Sequence, residues 1–184
     1  MKRIIPVLFF LLPLTLTGFA QIAPPGVETR TTAPDPNGAL AAIQALPAEY
    51  RDGLLKLSAD NGKPNPKKWY VVAQDGRKPA RNFTIIRGAI SNESSGLIQN
   101  VRSAVTGGTA INLNKVKVDN IHAWHAAQTY CASKGSQLGS VSYALQQSGK
   151  SSTPIWYVWC YTKGGNYLGY IQVLATTGAV IFSE

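Results

Sequence analysis

The residue types from which a reactive centre is built are few here: His122 and His125, Cys131 and Cys160, and Asp119 just ahead of the histidines. Histidines three apart on a helix occupy neighbouring parts of one face, so both reach towards one metal ion. A zinc centre needs at least a third ligand, and that falls to Asp119, one turn earlier, or Cys131, about two turns later. A Cys–His nucleophile needs an exposed thiol of lowered pKa beside its base. Cys131 stands six residues from His125 and nine from His122, and neither spacing stacks two side chains on a helix. Cys160 lies in a dense apolar run, where thiols are inert. The expectation is that His122 and His125 are metal candidates by spacing alone, with no cofactor bound. Cys131 and Cys160 read as a structural pair, bonded or as two buried thiols. Nucleophile elbow, P-loop and dinucleotide fingerprints are absent from the sequence.

The elements that position these residues are legible from periodicity. Residues 120–134 form the strongest helix, with Asp119 as N-cap, Gly135 as stop, and Ile121, Trp124, Ala127 or Gln128, and Cys131 on its apolar face. Residues 155–161 and 167–175, separated by Lys163-Gly164-Gly165-Asn166, and the short run 179–182 read as an antiparallel meander. Trp156, Val158 and Cys160 share one strand face, so Cys160 meets Cys131 if that face packs on the helix. Upstream, residues 39–46 are helix-prone. A second helix is expected from Pro47 to about Ala59, with Leu46, Tyr50, Leu54 and Leu57 on one face. Strands are expected at 68–74 and 82–90, a turn at 92–96, a brief strand at 97–101, and a strand at 111–118 with a bulge near Asn114. Val141, Tyr143 and Leu145 mark one more.

Residues 1–20 carry Lys2 and Arg3, an apolar run and a small-residue cleavage site, the pattern of a secretory signal. The protein is therefore expected to be exported, periplasmic or extracellular, with no transmembrane segment after cleavage. An oxidising compartment permits a Cys131–Cys160 bond, worth about 3 kcal/mol in the chain-entropy model. Residues 21–38, rich in proline and threonine, read as a flexible tether. Loss of Lys2 and Arg3 lowers the net charge from +9 to +7. The excess gathers in Lys63, Lys67, Lys68, Arg77, Lys78, Arg81 and Arg87, a segment suited to an anionic surface or an acidic protein. No nucleic-acid motif accompanies it, and nucleic acid is not an expected partner.

Lys68-Trp69-Tyr70-Val71-Val72 is echoed by Ile155-Trp156-Tyr157-Val158-Trp159, and Ser95-Gly96-Leu97-Ile98 by Thr177-Gly178-Ala179-Val180. The first copy lacks a clear strand between helix and tryptophan. The C-terminal half resembles the PepSY-like modules of exported bacterial proteins. The likeness rests on Trp156 and Val158, the Gly164-Gly165 hairpin, and Val173-Leu174-Ala175-Thr176-Thr177-Gly178-Ala179-Val180, with Leu174 where that family usually has aspartate. It covers about residues 120–182 and, more faintly, 47–101. The resemblance implies a helix followed by a three-stranded meander, and a non-catalytic module that binds or inhibits envelope proteins.

The expected fold is α+β: antiparallel meander sheets with helices on one face, as two tandem related units over residues 39–110 and 111–184. The expected function is a non-catalytic binding or inhibitory module of the cell envelope. The alternatives are a structural protein held on anionic surfaces by its basic segment, and a metal-dependent or Cys/His hydrolase.

Overall fold

The computed structural model describes residues 35–76, 78–95, 109–147 and 152–184. The leader, the tether as far as Pro34, Arg77 and the expected strand at 97–101 lie outside these. Strands β1 (Leu54–Gly62), β2 (Lys68–Ala73), β3 (Arg81–Ile86) and β4 (Ala89–Ser95) form one meander. Strands β5 (Leu138–Gln147), β6 (Pro154–Thr162), β7 (Tyr167–Leu174) and β8 (Val180–Ser183) form another. Pairing of β1 with β5 fuses them into one eight-stranded antiparallel sheet, ordered β4-β3-β2-β1-β5-β6-β7-β8. Helices α1 (Ala39–Gln44), α2 (Ala48–Arg51) and α3 (Asn120–Ser133) cover one face, as α+β patterning requires. No described helix is long and apolar enough to cross a membrane.

The core lies between these helices and the inward positions of the strands. Trp69, Val71, Phe83, Tyr143, Trp156, Val158 and Ile171 alternate inward and are essentially water-free. Trp69, Tyr143 and Trp156 form the central aromatic cluster, with ring centroids 6.0 to 6.3 Å apart. The register is symmetric about the Ser58–Ala144 pair: Leu57 faces Leu145, and Ala59 faces Tyr143. Val71 lies opposite Leu57 on one side, and Val158 opposite Tyr143 on the other. The two indoles behave alike. Trp69 donates its N–H to the Asn37 carbonyl at 2.8 Å, and Trp156 donates to the Val118 carbonyl at 2.9 Å. Each acceptor stands two residues ahead of a helix, so each tryptophan ties a helix start to the sheet.

Helix α3 starts and stops where expected. The Asp119 carboxylate accepts the Asn120 N–H at 2.7 Å, and Gly135 takes a φ of +68° beyond the last turn. Residues Asp35–Gly38, read as the end of the tether, make a turn: the Gly38 N–H reaches the Asp35 carbonyl, and the Asn65 amide reaches the Asp35 carboxylate.

Three expectations fail for identifiable reasons. The helix from Pro47 to Ala59 is only the single turn α2, and Leu54–Gly62 is strand β1. Gly53 forces the change, because its backbone approaches Gln74 so closely that an added Cβ would sit 1.6 Å from the Gln74 carbonyl oxygen. A bulge between Leu54 and Lys56 then lets Leu54, Leu57 and Ala59 all face the core, mimicking a helical period. β1 is also the strand that the first copy of the echo lacked. Next, the expected strand 82–90 is a hairpin: Arg87 and Gly88 have φ of +50° and +70°, the backbone of a tight turn matched to strand twist. This turn, and not Ser95-Gly96, is the counterpart of Thr177-Gly178, and Asn92 to Ser95 belong to edge strand β4. Last, residues 111–118 form no ladder. The Asn112 side chain accepts the Asn114 N–H and starts a 3₁₀ turn at Leu113–Lys115. Ile111 then bonds the Leu54 carbonyl, while Lys117 and Val118 both bond that of Ala175.

Candidate functional site

Cys131 on α3 and Cys160 on β6 do meet. They are two free, fully buried thiols within hydrogen-bond reach of each other. Burial raises both pKa values, and the neighbouring Cys131 helps push Cys160 up to about 12. Both are protonated at neutral pH, the opposite of what a nucleophilic cysteine needs. His122 and His125 lie exposed on α3, beside a groove of about 560 Å³ between α3 and the β7–β8 hairpin. His125 Nδ1 lies 3.0 Å from the Gln128 side-chain oxygen. Asp119 is turned inward as a cap, where burial raises its pKa against hydrogen bonds from Asn120, Ala39 and Leu40. Among the described residues, no three His, Cys, Asp or Glu converge as metal ligands.

The meander divides the basic segment. Lys63, Lys67 and Lys68 lie at the β1–β2 connection, and Arg87 at the β3–β4 turn on the same end of the sheet. Lys78 and Arg81 flank the β2–β3 hairpin at the opposite end, where Lys78 pairs with Asp75 at 2.5 Å and Arg81 pairs with Glu93. Arg77 is outside the described residues. Lys63, Lys67 and Lys68 border a depression of about 590 Å³ with Asp60 and Tyr70. Lys63 also borders a second depression, of about 620 Å³, with Lys163 from the β6–β7 hairpin. Lys163 belongs to this end of the molecule although the sequence places it far from the basic segment.

The larger feature is the sheet face that no described helix covers. Strand register aligns one row of outward side chains across all eight strands: Asn92, Thr84, Tyr70, Ser58, Ala144, Tyr157, Gln172 and Phe182. At about 4.8 Å per strand spacing the row runs roughly 33 Å. Its centre is low, with Ser58 and Ala144 between Tyr70 and Tyr157. On the β1–β4 side the face forms a depression of about 410 Å³ whose polar lining includes Ser58, Tyr70, Asn82, Thr84 and Asn92 together with the charged pair Lys56 and Asp60. On the β6–β8 side it carries an aromatic strip. Tyr157 and Trp159 are 6.3 Å apart with planes at 23°, and Trp159 and Tyr170 are 6.4 Å apart at the same angle. Tyr170 and Phe182 follow at 5.1 Å and 33°.

Sequence reasoning took these aromatics for strand formers and missed them as a surface. A signal was present. β6 is apolar or aromatic at both parities, the pattern of a strand buried on two sides, yet among the described elements only one side is covered. Tyr157, Trp159 and Tyr170 remain partly exposed, and Phe182 is 43% exposed. Comparison with known proteins yields no matching family model, no matching curated protein and no matching solved structure.

Proposed function

We propose that this protein is a non-catalytic binding module of an exported compartment, and that it binds through the face of its sheet that no described helix covers. The observation that carries this reading is the aromatic strip Tyr157, Trp159, Tyr170 and Phe182 on a face left open by every described element. Contiguous apolar surface of this kind mark interaction sites, because leaving it in water costs free energy that a partner recovers. The high thiol pKa values weigh against a Cys/His hydrolase. The PepSY-like reading stays part of the proposal. Its support is that α3 is followed by the β5–β8 meander, with Trp156 and Val158 facing the helix.

Site-specific photo-crosslinking in the exporting cell tests the reading. A benzophenone side chain at position 157 or 172 is expected to give adducts, and one at position 128 or 129 on the exposed side of α3 is not. Adducts only from the helix positions refute the proposal.

A second reading has its own observation. Lys63, Lys67 and Lys68 ring a depression in which Asp60 is the one carboxylate. This suits docking on an anionic surface, to which each exposed lysine adds roughly 1 kcal/mol at low salt. Reversal of the three lysines to glutamate should abolish retention on phosphatidylglycerol vesicles. Retention that survives reversal refutes this reading.

A further inference from the structure

We infer that strand β8 is an open docking edge and that its occupant is β8 of a second copy of this chain, paired antiparallel about Phe182. The inference concerns the rim of the sheet and stands apart from whatever covers its open face.

The two rims differ. Strands β4 and β8 each have one neighbour among the described strands. β4 is polar along most of its length and sets Glu93 against Arg81, the kind of charge with which edge strands discourage pairing. β8 reads Val180-Ile181-Phe182-Ser183, without a charge, and its three apolar residues are 43–49% exposed. It is nevertheless held as a strand at both ends. The Ala179 carbonyl accepts the Leu174 N–H at 2.9 Å, and the Glu184 N–H reaches the Tyr170 carbonyl at 3.0 Å. The Tyr130 hydroxyl of α3 donates to the Glu184 carbonyl, in a space that a side chain at Gly169 would fill. An edge already fixed in extended form has little ordering entropy left to lose on pairing.

Backbone geometry identifies the occupant. The bond from Glu184 to Tyr170 and the pairing of Phe182 with Gln172 turn the groups of residues 182 and 184 towards β7. By alternation the N–H and C=O groups of Ile181 and Ser183 face the free edge, and an extended strand is what satisfies them in register. Among the described strands, β8 itself is the one whose exposed apolar run needs such cover. With Phe182 opposite Phe182 of the second copy, Ile181 meets Ser183 and Ser183 meets Ile181, so each free group finds its complement. The two Phe182 rings then adjoin across the two-fold axis, continuing the Tyr170–Phe182 contact.

Charge agrees. Copies of a chain with net charge +9 approach closely only where neither presents a charge, and in this register the two Glu184 carboxylates lie at opposite ends of the pairing. The arrangement is isologous and closes at two. β8 is short and bulged near Ile181. The dimer is therefore weak, with a Kd of about 10–100 μM.

Sedimentation equilibrium of the full chain from about 1 μM to about 1 mM brackets that value. The mass should rise from one chain towards two and no further. Ser183→Pro removes an outward N–H and leaves the bonds to β7 in place, as proline does on an edge. Ile181→Lys adds a charge to the rim. Each should weaken dimerisation about tenfold or more, with circular dichroism and urea midpoints of the dilute monomer unchanged. If Ser183→Pro fails to fold, Ile181→Lys decides alone. In Phe182→Cys, mild oxidation should join two chains through position 182; in Ile90→Cys, on β4, it should not join them through position 90. A chain that stays monomeric throughout overturns the inference. So does assembly beyond two copies, a dimer that persists in folded Ile181→Lys, or a disulfide that forms as readily at position 90 as at 182. A monomer that crosslinks a different protein from position 182 assigns the edge to a foreign strand and refutes the second copy.

Discussion

Replacing Asn120 by alanine tests how the helix starts are joined to the sheet. Asn120 is the one fully buried polar side chain of the described core. Its side-chain oxygen accepts the Ala39 N–H at 2.8 Å, and its amide donates to the Pro64 carbonyl. One residue thus links the start of α3, the start of α1 and the β1–β2 connection. Ala39 is itself fully buried, so water does not replace the lost acceptor, and the Asp119 carboxylate, which also takes hydrogen bonds from Ala39 and Leu40, is left as the acceptor for that N–H. A buried group left wholly without a partner costs about 1–3 kcal/mol, and one that keeps a shared acceptor falls at the lower end of that range. Pro64 is partly exposed, so its carbonyl falls at the lower end of that range. Together these place the loss for Asn120→Ala at roughly 1–3 kcal/mol, a fall in Tm of about 3–10 °C for a chain of this size. Urea unfolding followed by circular dichroism measures it. Asn120→Asp is the companion variant: it keeps the acceptor but turns an oxygen towards the Pro64 carbonyl, and it regains a donor only when protonated. Its stability relative to wild type should rise on acidification. A loss below about 1 kcal/mol for the alanine variant, or an aspartate variant that tracks wild type at every pH, refutes the assignment.

Three further outcomes are expected. Burial raises the Asp119 pKa, so the folded state holds that proton more tightly than the unfolded chain does. Its contribution to stability is full below the unfolded value near 3.9 and drains away as pH climbs through the raised one; Asp119→Asn should therefore flatten the decline in urea stability with rising pH, and equal slopes refute this. Oxidative refolding with glutathione disulfide should convert Cys131 and Cys160 into one bond, adding about 3–4 kcal/mol in the chain-entropy model. Two titratable thiols after such treatment would refute it. The Tyr143 hydroxyl is buried without a hydrogen-bond partner, so Tyr143→Phe should leave stability unchanged or raise it, and a loss above about 1 kcal/mol in urea unfolding contradicts that.

The C-terminal half was readable because its local signals agree with its tertiary fate. Asp119 caps, Gly135 stops, and the glycine-bearing hairpin at residues 163–166 turns where the strands require it. The N-terminal half misled because tertiary contacts override local period. The bulge after Leu54 places Leu54, Leu57 and Ala59 inward at spacings that copy a helix, and the close approach of Gly53 to Gln74 is a long-range fact invisible in either stretch. The facing cysteines followed from strand parity and helix phase, and the structure brings them together. The open aromatic face did not follow, because apolar residues at both parities of β6 signal burial on two sides unless the layers are known. Lys163 joined the lysines of the β1–β2 connection only through the order of the strands.

The symmetric register about Ser58 and Ala144 has a consequence for any fragment of this chain. Neither meander owns the middle of the sheet: cut the chain between them and each piece is left with a bare, largely apolar strand where its neighbour had been. The nearest stand-in for β1 is β5 from another molecule, offering Leu145 where Leu57 stood. Residues 109–184 alone should therefore assemble in pairs, and a monomeric, folded fragment in sedimentation would show that the centre of this sheet is less demanding than its pairing pattern implies.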